Sequence, residues 1–548
     1  MKKLSIKNIS SLAKVLPYKR LSEPCFDKAS CLLDEEFSYQ IAIKVNGSVE
    51  EEKLLKLEVE SDIADYIQIY NVKYVPVYLT NFKTQFDDCY LSHNGGLYPD
   101  ILEPYTDHVM ASCDFYKTIW ISVKPDCNVA SGVHKIKIKF LYETETWGES
   151  VFSLEVIGAK MPEFDIPMTN WFHADCIADY YNVKSLSNKH WKYIESFLQN
   201  YAEHGFNMVL TPVFTPPLDT KEGHERTTVQ LVDIYYENGK YSFDFSKLSR
   251  WIDLCKKFGI KYLEMPHLYT QWGAAHAPKI VVKENGKSKK KFGWKTDAES
   301  AEYKEFLSQF LPKLVDFLKQ CWDAEKIYFH ISDEPREQHV EHYGNLHNFI
   351  EPLLSGVKLI DALSDLEIYK KGFVDIPAVS TPKVKNFTSI GNSNIWAYYC
   401  CSHGANYYSN RFIAMPSFRN RITGIQVYAL DMKGFLHWGY NFYYARLSTH
   451  KINPYISTDA DGGFPAGDAF MVYPADNGAI PSLRLKVFKE GFQDRMALKM
   501  LEEKIGKTEV MKLVQNECEI DFNHYPHSDE YILSLREKVN QMIKSFIN

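Results

Sequence analysis

The stretch His190-Trp-Lys-Tyr-Ile-Glu-Ser-Phe-Leu-Gln-Asn-Tyr-Ala-Glu-His204, followed by Gly205 and then Phe206-Asn-Met-Val-Leu-Thr-Pro212, decides the fold. Trp191, Ile194, Phe197, Leu198 and Tyr201 recur at the spacing of one helix face, Gly205 ends the helix, and the apolar run after it has the character of a strand. Leu248 to Phe258, Gly259 and Ile260-Lys-Tyr-Leu-Glu-Met-Pro266 repeat the unit. Strands of the same kind are expected at Thr169–His173, Asn207–Pro212, Ile260–Pro266, Lys326–Ser332, Val357–Ala362, Phe373–Ala378, Asn394–Cys400 and Gly434–Tyr440. Strands that alternate with helices in this way predict an α/β chain whose centre is a (β/α)₈ TIM barrel, spanning 163–464.

Residues 1–162 have a different texture. Short alternating runs such as Tyr74-Val-Pro-Val-Tyr-Leu, Thr118-Ile-Trp-Ile-Ser-Val and His134-Lys-Ile-Lys-Ile-Lys-Phe, separated by turn residues, predict an antiparallel β-sandwich. Residues 465–548 are expected to be largely helical, with apolar helical spacing over Asp494–Lys504 and Ser528–Ile547, and to pack on the barrel. Two long connections, Pro216–Phe245 and Tyr269–Asp297, each contain Asn-Gly between strand-like runs, at Asn238-Gly239 and Asn285-Gly286. Each predicts a hairpin placed to wall a pocket at the barrel mouth.

A chain of 548 residues accommodates a barrel plus smaller modules, and 45% hydrophobic with 24% charged residues is the balance of a globular protein. No apolar run is long enough for a membrane span, and Met1-Lys-Lys-Leu-Ser-Ile-Lys-Asn-Ile-Ser does not open into an apolar leader, so no membrane association and a cytoplasmic location are expected. The 11 cysteines are odd in number and scattered, which fits reduced thiols. A formal net charge of −7 and one short cationic run, Lys287-Ser-Lys-Lys-Lys-Lys, argue against a nucleic-acid partner. Aromatic residues make up 14% of the chain, a composition suited to stacking on sugar rings as well as to filling cores.

The chemistry is expected at the strand C-terminal ends. Lys326-Ile-Tyr-Phe-His-Ile-Ser-Asp-Glu-Pro335 ends a strand in two adjacent carboxylates, Asp333 and Glu334, with Pro335 blocking further pairing. Paired acids suit glycosidic cleavage, where one group gives a proton to the leaving oxygen and another compensates the sugar cation. The competing reading makes the pair a helix cap. His173, Asp175, Trp396, Tyr398, Trp438 and Tyr440 share the strand-end position and are the candidate substrate-binding residues. A metal cluster built from His173, Asp175 and Cys176 with His330 and Glu264 is an alternative, but no metal-binding spacing occurs and neither metal nor cofactor is expected. No Gly-x-Ser-x-Gly elbow and no phosphate-binding glycine loop is found in the barrel.

Several of these stretches resemble glycoside hydrolase family 123, whose known members are exo-acting β-N-acetylgalactosaminidases built as a β-sandwich followed by a barrel. The resemblance runs through Tyr98-Pro-Asp-Ile-Leu-Glu-Pro, Asn170-Trp-Phe-His-Ala-Asp, Tyr241-Ser-Phe-Asp-Phe and His330-Ile-Ser-Asp-Glu-Pro. It continues in Ile395-Trp-Ala-Tyr-Tyr-Cys, Gly434-Phe-Leu-His-Trp-Gly-Tyr-Asn, Gly467-Asp-Ala-Phe-Met-Val-Tyr-Pro, Arg484 and Gly491-Phe-Gln-Asp. It implies a terminal β-linked N-acetylhexosamine substrate, most readily N-acetylgalactosamine, and retention through attack by the sugar's own 2-acetamido oxygen. Carried over, Glu334 is the acid and then base, and Asp333 orients the acetamido N–H. Strand-end position adds Tyr398 as donor to the acetamido oxygen, with Trp438 and Trp396 as stacking platforms and His173 on a sugar hydroxyl. A glycosidase of other specificity, or a carbohydrate-binding protein that keeps the fold without turnover, is the competing expectation.

Overall fold

The computed structural model describes residues 3–47, 52–83, 86–391 and 393–547. Eight short parallel strands close a barrel in chain order: Met168–Asn170, Met208–Leu210, Tyr262–Glu264, Ile327–Phe329, Lys358–Leu363, Ile376–Ser380, Trp396–Tyr398 and Gly434–His437. Each falls within or overlaps one of the eight runs read from the sequence. The helices that carried that reading span Asn188–Glu203 and Ser246–Lys257. Gly205 and Gly259, at φ of 89° and 73°, occupy the left-handed position that turns the chain back towards the barrel.

Alternation sorts each strand. On the fourth, Ile327, Phe329 and Ile331 join the layer between strands and helices, so Tyr328 and His330 point into the barrel. On the seventh, Ala397 and Tyr399 face the helices, whereas Trp396 and Tyr398 face the barrel axis.

Two five-stranded sheets form the N-terminal sandwich. One is ordered Leu4–Ser10, Phe37–Val45, Lys117–Val123, Ile67–Val77 and Gly96–Pro104; the other Lys28–Leu33, Glu145–Lys160, Gly132–Tyr142, Lys53–Glu60 and Val109–Ala111. Pairing is antiparallel except between Lys28–Leu33 and Glu145–Lys160, which run parallel. A buried ion pair ties the sandwich to the rest: Arg484 donates Nε to Asp100 Oδ1 at 2.8 Å and a second nitrogen to Oδ2 at 2.9 Å. Asp100 and Arg484 both lie in stretches quoted above, and their part is structural.

Three helices, Leu483–Ile505, Lys507–Val514 and Asp529–Ser545, follow a small two-stranded sheet of Val472–Ala475 and Gly478–Pro481. Among the described residues no helix is long and apolar enough to cross a membrane.

The two Asn-Gly hairpins exist, but they do not wall the barrel mouth. Their strands merge into one four-stranded sheet, ordered Lys240–Asp244, Asp233–Glu237, Ile280–Glu284 and Lys287–Phe292. One face of that sheet packs on helix Ala301–Cys321, with ring centroids of Tyr241 and Phe306 at 5.1 Å, Phe243 and Phe310 at 5.2 Å, and Phe292 and Phe306 at 5.1 Å. Burial of aromatic area holds the sheet outside the barrel. The segments between barrel strands and hairpins reach the mouth instead.

Candidate active site

At the C-terminal ends of the strands lies a pocket of about 110 Å³ whose lining includes Asp333 and Glu334, with Trp171, Trp272, Trp438 and Phe464 as its aromatic walls. The two carboxylates cap no helix. A 3₁₀ turn starts only at Glu337, after Arg336, and helix Val340–Ile350 follows it, while the Glu337 N–H is taken by Asp365 Oδ2 at 2.9 Å.

The backbone is bent to present the pair. Glu334 has φ 47° and Trp272 φ 57°, left-handed values that cost a side-chain-bearing residue about 1 kcal/mol or more. The Trp272 N–H donates to the Asp333 carbonyl at 3.0 Å, so one bond pins both bends against each other.

Beneath the pocket runs a buried charge chain. His330 donates Nε2 to Glu264 Oε1 at 2.7 Å and Nδ1 to Asp361 Oδ1 at 3.0 Å. Glu264 also accepts from Trp171 Nε1 at 2.7 Å and from Thr169, and Asp361 accepts the N–H groups of Ile331 and Ser332, each at 3.2 Å, and the Tyr343 hydroxyl. Burial opposes charge on His330, but its bonds to Asp361 and Glu264 outweigh it and raise the imidazole to about 9. His330 is therefore an imidazolium between two acids at neutral pH.

His267 stacks on that ring at 4.3 Å, and burial beside the cation holds it neutral. Ligand-capable atoms of His267, His330 and Asp361 lie within 4.8 Å of one another. Both His330 nitrogens are engaged by carboxylates in this geometry. The sequence alternative that joined His173, Asp175 and Cys176 to His330 and Glu264 divides into two separate hydrogen-bond networks.

The dyad has no such cation between its members. Burial first, and the neighbouring Glu334 charge second, push the Asp333 carboxyl well above the usual carboxylate range. Burial likewise raises Glu334, opposed by the Tyr398 hydroxyl, which donates to Glu334 Oε1 at 2.6 Å. Two adjacent desolvated carboxyls hold one proton between them. The Tyr398 hydroxyl favours the ionised form of Glu334.

The remaining predicted residues divide cleanly. Tyr398 and Trp438 line the pocket. Trp438 is fixed by donation of its indole N–H to Asp468 Oδ2 at 2.9 Å. His173 does not reach the pocket: its Nε2 bonds the Trp438 carbonyl at 2.9 Å and its Nδ1 accepts from Arg226 at 3.0 Å, which makes it a neutral support behind that tryptophan. Asp175 is paired with the same guanidinium at 2.7 and 2.8 Å. Tyr440 lies past the strand end and turns into the helix layer, stacked on Phe172 with its hydroxyl on Asn200 Oδ1 at 2.9 Å. Trp396 precedes Tyr398 by two residues, one pleat or about 7 Å lower along the strand. It lies across the opposite end of the barrel over Gly434, whose missing Cβ makes room for the indole.

Several lining residues carried no assignment in the sequence. Trp171 was accessible in principle, because it continues the inward alternation of Thr169. Asp219, Gln271 and Trp272 come from long connections without periodicity. Asp219 is raised to about 6 by burial and accepts the Leu447 N–H at 2.7 Å. Asp468, which does not line the pocket but holds the Trp438 indole, belongs to the segment read as packing only.

Residues 171–501, more than half of the chain, match the family described as glycoside hydrolase 123, catalytic domain. The chain belongs to glycoside hydrolase family 123. A family 123 glycoside hydrolase from Clostridium perfringens, solved in a study of glycolipid glycan hydrolysis, aligns over 100% of this chain and 98% of its own at 16% identity and a TM-score of 0.71, so the two share a fold. A Bacteroides ovatus GH5 xyloglucanase covers 85% of this chain and 98% of its own at 7% identity and a TM-score of 0.34. An endo-β-1,4-mannanase from Thermotoga petrophila covers 61% of this chain and 77% of its own at 15% identity and a TM-score of 0.35. No curated protein matches by sequence. As a member of family 123 the chain is a glycosidase, and its partner is a glycan.

Proposed function

We propose that this glycosidase removes terminal β-linked N-acetylhexosamine, with N-acetylgalactosamine as the favoured sugar, and retains anomeric configuration through the substrate's 2-acetamido group. The observation that carries the reading is the Asp333–Glu334 pair, without an ion-pair partner, on the wall of an aromatic pocket. Asp333 accepts the acetamido N–H, and that bond favours its ionised form and moves the shared proton to Glu334. Glu334 protonates the leaving oxygen while the acetamido oxygen attacks the anomeric carbon, then deprotonates the water that opens the cyclic intermediate. Once Glu334 carries the proton, the Tyr398 hydrogen is free for the acetamido oxygen. Trp438 and Trp171 supply stacking faces, and Asp219 accepts from a sugar hydroxyl.

A second reading rests on Asp219, a further carboxyl in the same pocket: paired with Glu334 it would equip a two-carboxylate glycosidase for sugars without an acetamido group. The test is release of nitrophenolate from 4-nitrophenyl β-glycosides of N-acetylgalactosamine, N-acetylglucosamine, galactose and glucose, by wild type and Glu334→Gln. Release from the acetamido sugars alone, reduced about 10²- to 10⁴-fold in the variant with KM little changed, is expected. Release from galactoside or glucoside favours Asp219 and overturns acetamido assistance. Binding without turnover on all four would mark a carbohydrate-binding protein.

A further inference from the structure

Two adjacent thiols, Cys400 and Cys401, follow the seventh barrel strand after Tyr399. Alternation along a strand would send them to opposite faces, yet both line the pocket with Asp333 and Glu334, because the strand has ended at Tyr398 and the chain turns. The turn is held from within: His403 Nδ1 accepts the Cys400 N–H at 2.9 Å, and Ser402 Oγ lies 3.2 Å from Cys400 Sγ. Both thiols are free and half-buried, and no other cysteine among the described residues lines this pocket. The glycosidic chemistry described above uses neither.

We propose that Cys400 and Cys401 are a peroxide-reactive pair, Cys400 attacking and Cys401 resolving, whose closure to a disulfide in the pocket wall reversibly halts turnover. The Cys401 S–H bond to its sulfur holds Cys400 well below the usual thiol range against the opposing effect of burial, and the same bond, with burial, raises Cys401. The Cys400 thiolate attacks one oxygen of hydrogen peroxide; the O–O bond breaks, Cys400 becomes a sulfenic acid, and the departing hydroxide takes a proton from solvent as water. The Cys401 sulfur then attacks the Cys400 sulfur, the S–O bond breaks, and the hydroxide leaves with the Cys401 proton as a second water. The two sulfurs give up two electrons in all, and the peroxide takes them. Adjacent residues hold their Cα atoms about 3.8 Å apart, inside the usual span of a disulfide, so the bridge is strained and a thiol reductant reopens it. After burial, the Cys400 charge is the next cause that raises Glu334, and the bridge removes that charge from beside the general acid. The loss of turnover thus rests on the role proposed for Glu334, whereas formation of the bridge does not.

The tryptic peptide Asn386–Arg411 contains these two cysteines and no other. The full-length reduced protein is treated with hydrogen peroxide, and that peptide is weighed by mass spectrometry before and after dithiothreitol, beside release of nitrophenolate from whichever glycoside the untreated protein cleaves. The peptide is expected to lose two hydrogens before the exposed Cys25 and Cys127 react, turnover to fall about tenfold or more, and dithiothreitol to restore both. Cys401→Ser leaves Cys400 without a resolving thiol, so the peptide should gain two oxygens as the sulfinic acid, which dithiothreitol does not reverse. A wild-type peptide that keeps both thiols while Cys25 or Cys127 oxidises, or a Cys401→Ser protein that recovers as wild type does, overturns the pair. Undiminished turnover by the bridged protein overturns its hold on the site. The mass change is read without substrate, so it stands or falls apart from the sugar and the reaction proposed above.

Discussion

Two acid pairs sit one above the other at the fourth barrel strand, and they are built in opposite ways. In the lower one, Glu264 and Asp361 flank His330, whose two ring protons satisfy one carboxylate each. In the upper one, Asp333 and Glu334 are adjacent in the chain, and a neutral phenol is the one side-chain donor on either carboxylate. Glu264 and Asp361 are fully buried, whereas Asp333 and Glu334 are partly open to the pocket, and the two pairs differ further in compensation. A carboxylate bonded to a buried cation serves as structure, whereas a pair without one keeps a proton that chemistry can move. The lower pair also holds Trp171 by its indole N–H, so it supports the aromatic wall of the pocket that the upper pair serves.

The comparison breaks hardest at His330. His330→Leu leaves Glu264 and Asp361 buried without their cation, and urea unfolding is expected to show a loss of about 3–5 kcal/mol. With the folded value raised to about 9 against an ordinary 6.5, His330 contributes stability in full below pH 6.5 and loses it as pH rises through 9. Thermal midpoints of wild type should fall across that window and those of the variant should fall less; parallel curves would mean that His330 is not charged.

Asp333→Asn should act with the opposite sign. The folded carboxyl titrates above its unfolded value, so at neutral pH its burial works against folding, and the amide removes that cost. Stability is expected to rise by about 0.5–2 kcal/mol while turnover of an acetamido glycoside collapses. A destabilised Asn variant would place Asp333 with the structural acids.

The smallest effect is the finest probe. The Tyr398 hydroxyl lowers the Glu334 value, so Tyr398→Phe should raise it and move the alkaline limb of the kcat/KM profile to higher pH. A limb that stays in place would assign it to another group.

Legibility followed periodicity. Two helix–glycine–strand units and the apolar runs like theirs exposed all eight barrel strands, and the Asp-Glu-Pro run marked the carboxylates, although the strand itself ends at Phe329. Strand ends were less readable than strands. Trp396 and Tyr398 look equivalent in a list of candidates, yet one pleat puts the first at the far end of the barrel and the second on Glu334. Tyr440 and the His173–Asp175 pair lie just beyond strands whose following turns carry them behind the pocket wall. Asp219, Gln271 and Trp272 arrive from connections of irregular backbone, where no repeat of 2 or 3.6 residues exists to say which way a side chain faces.

What the sequence determined by itself is the order of elements, the barrel, and the position of two acids at its reactive end, because those follow from local spacing of apolar residues and turn formers. Which acids are compensated and which aromatic rings reach the pocket were decided only in three dimensions. Charge compensation depends on side chains 31 and 66 positions distant from His330, brought within 3.0 Å by closure of the barrel.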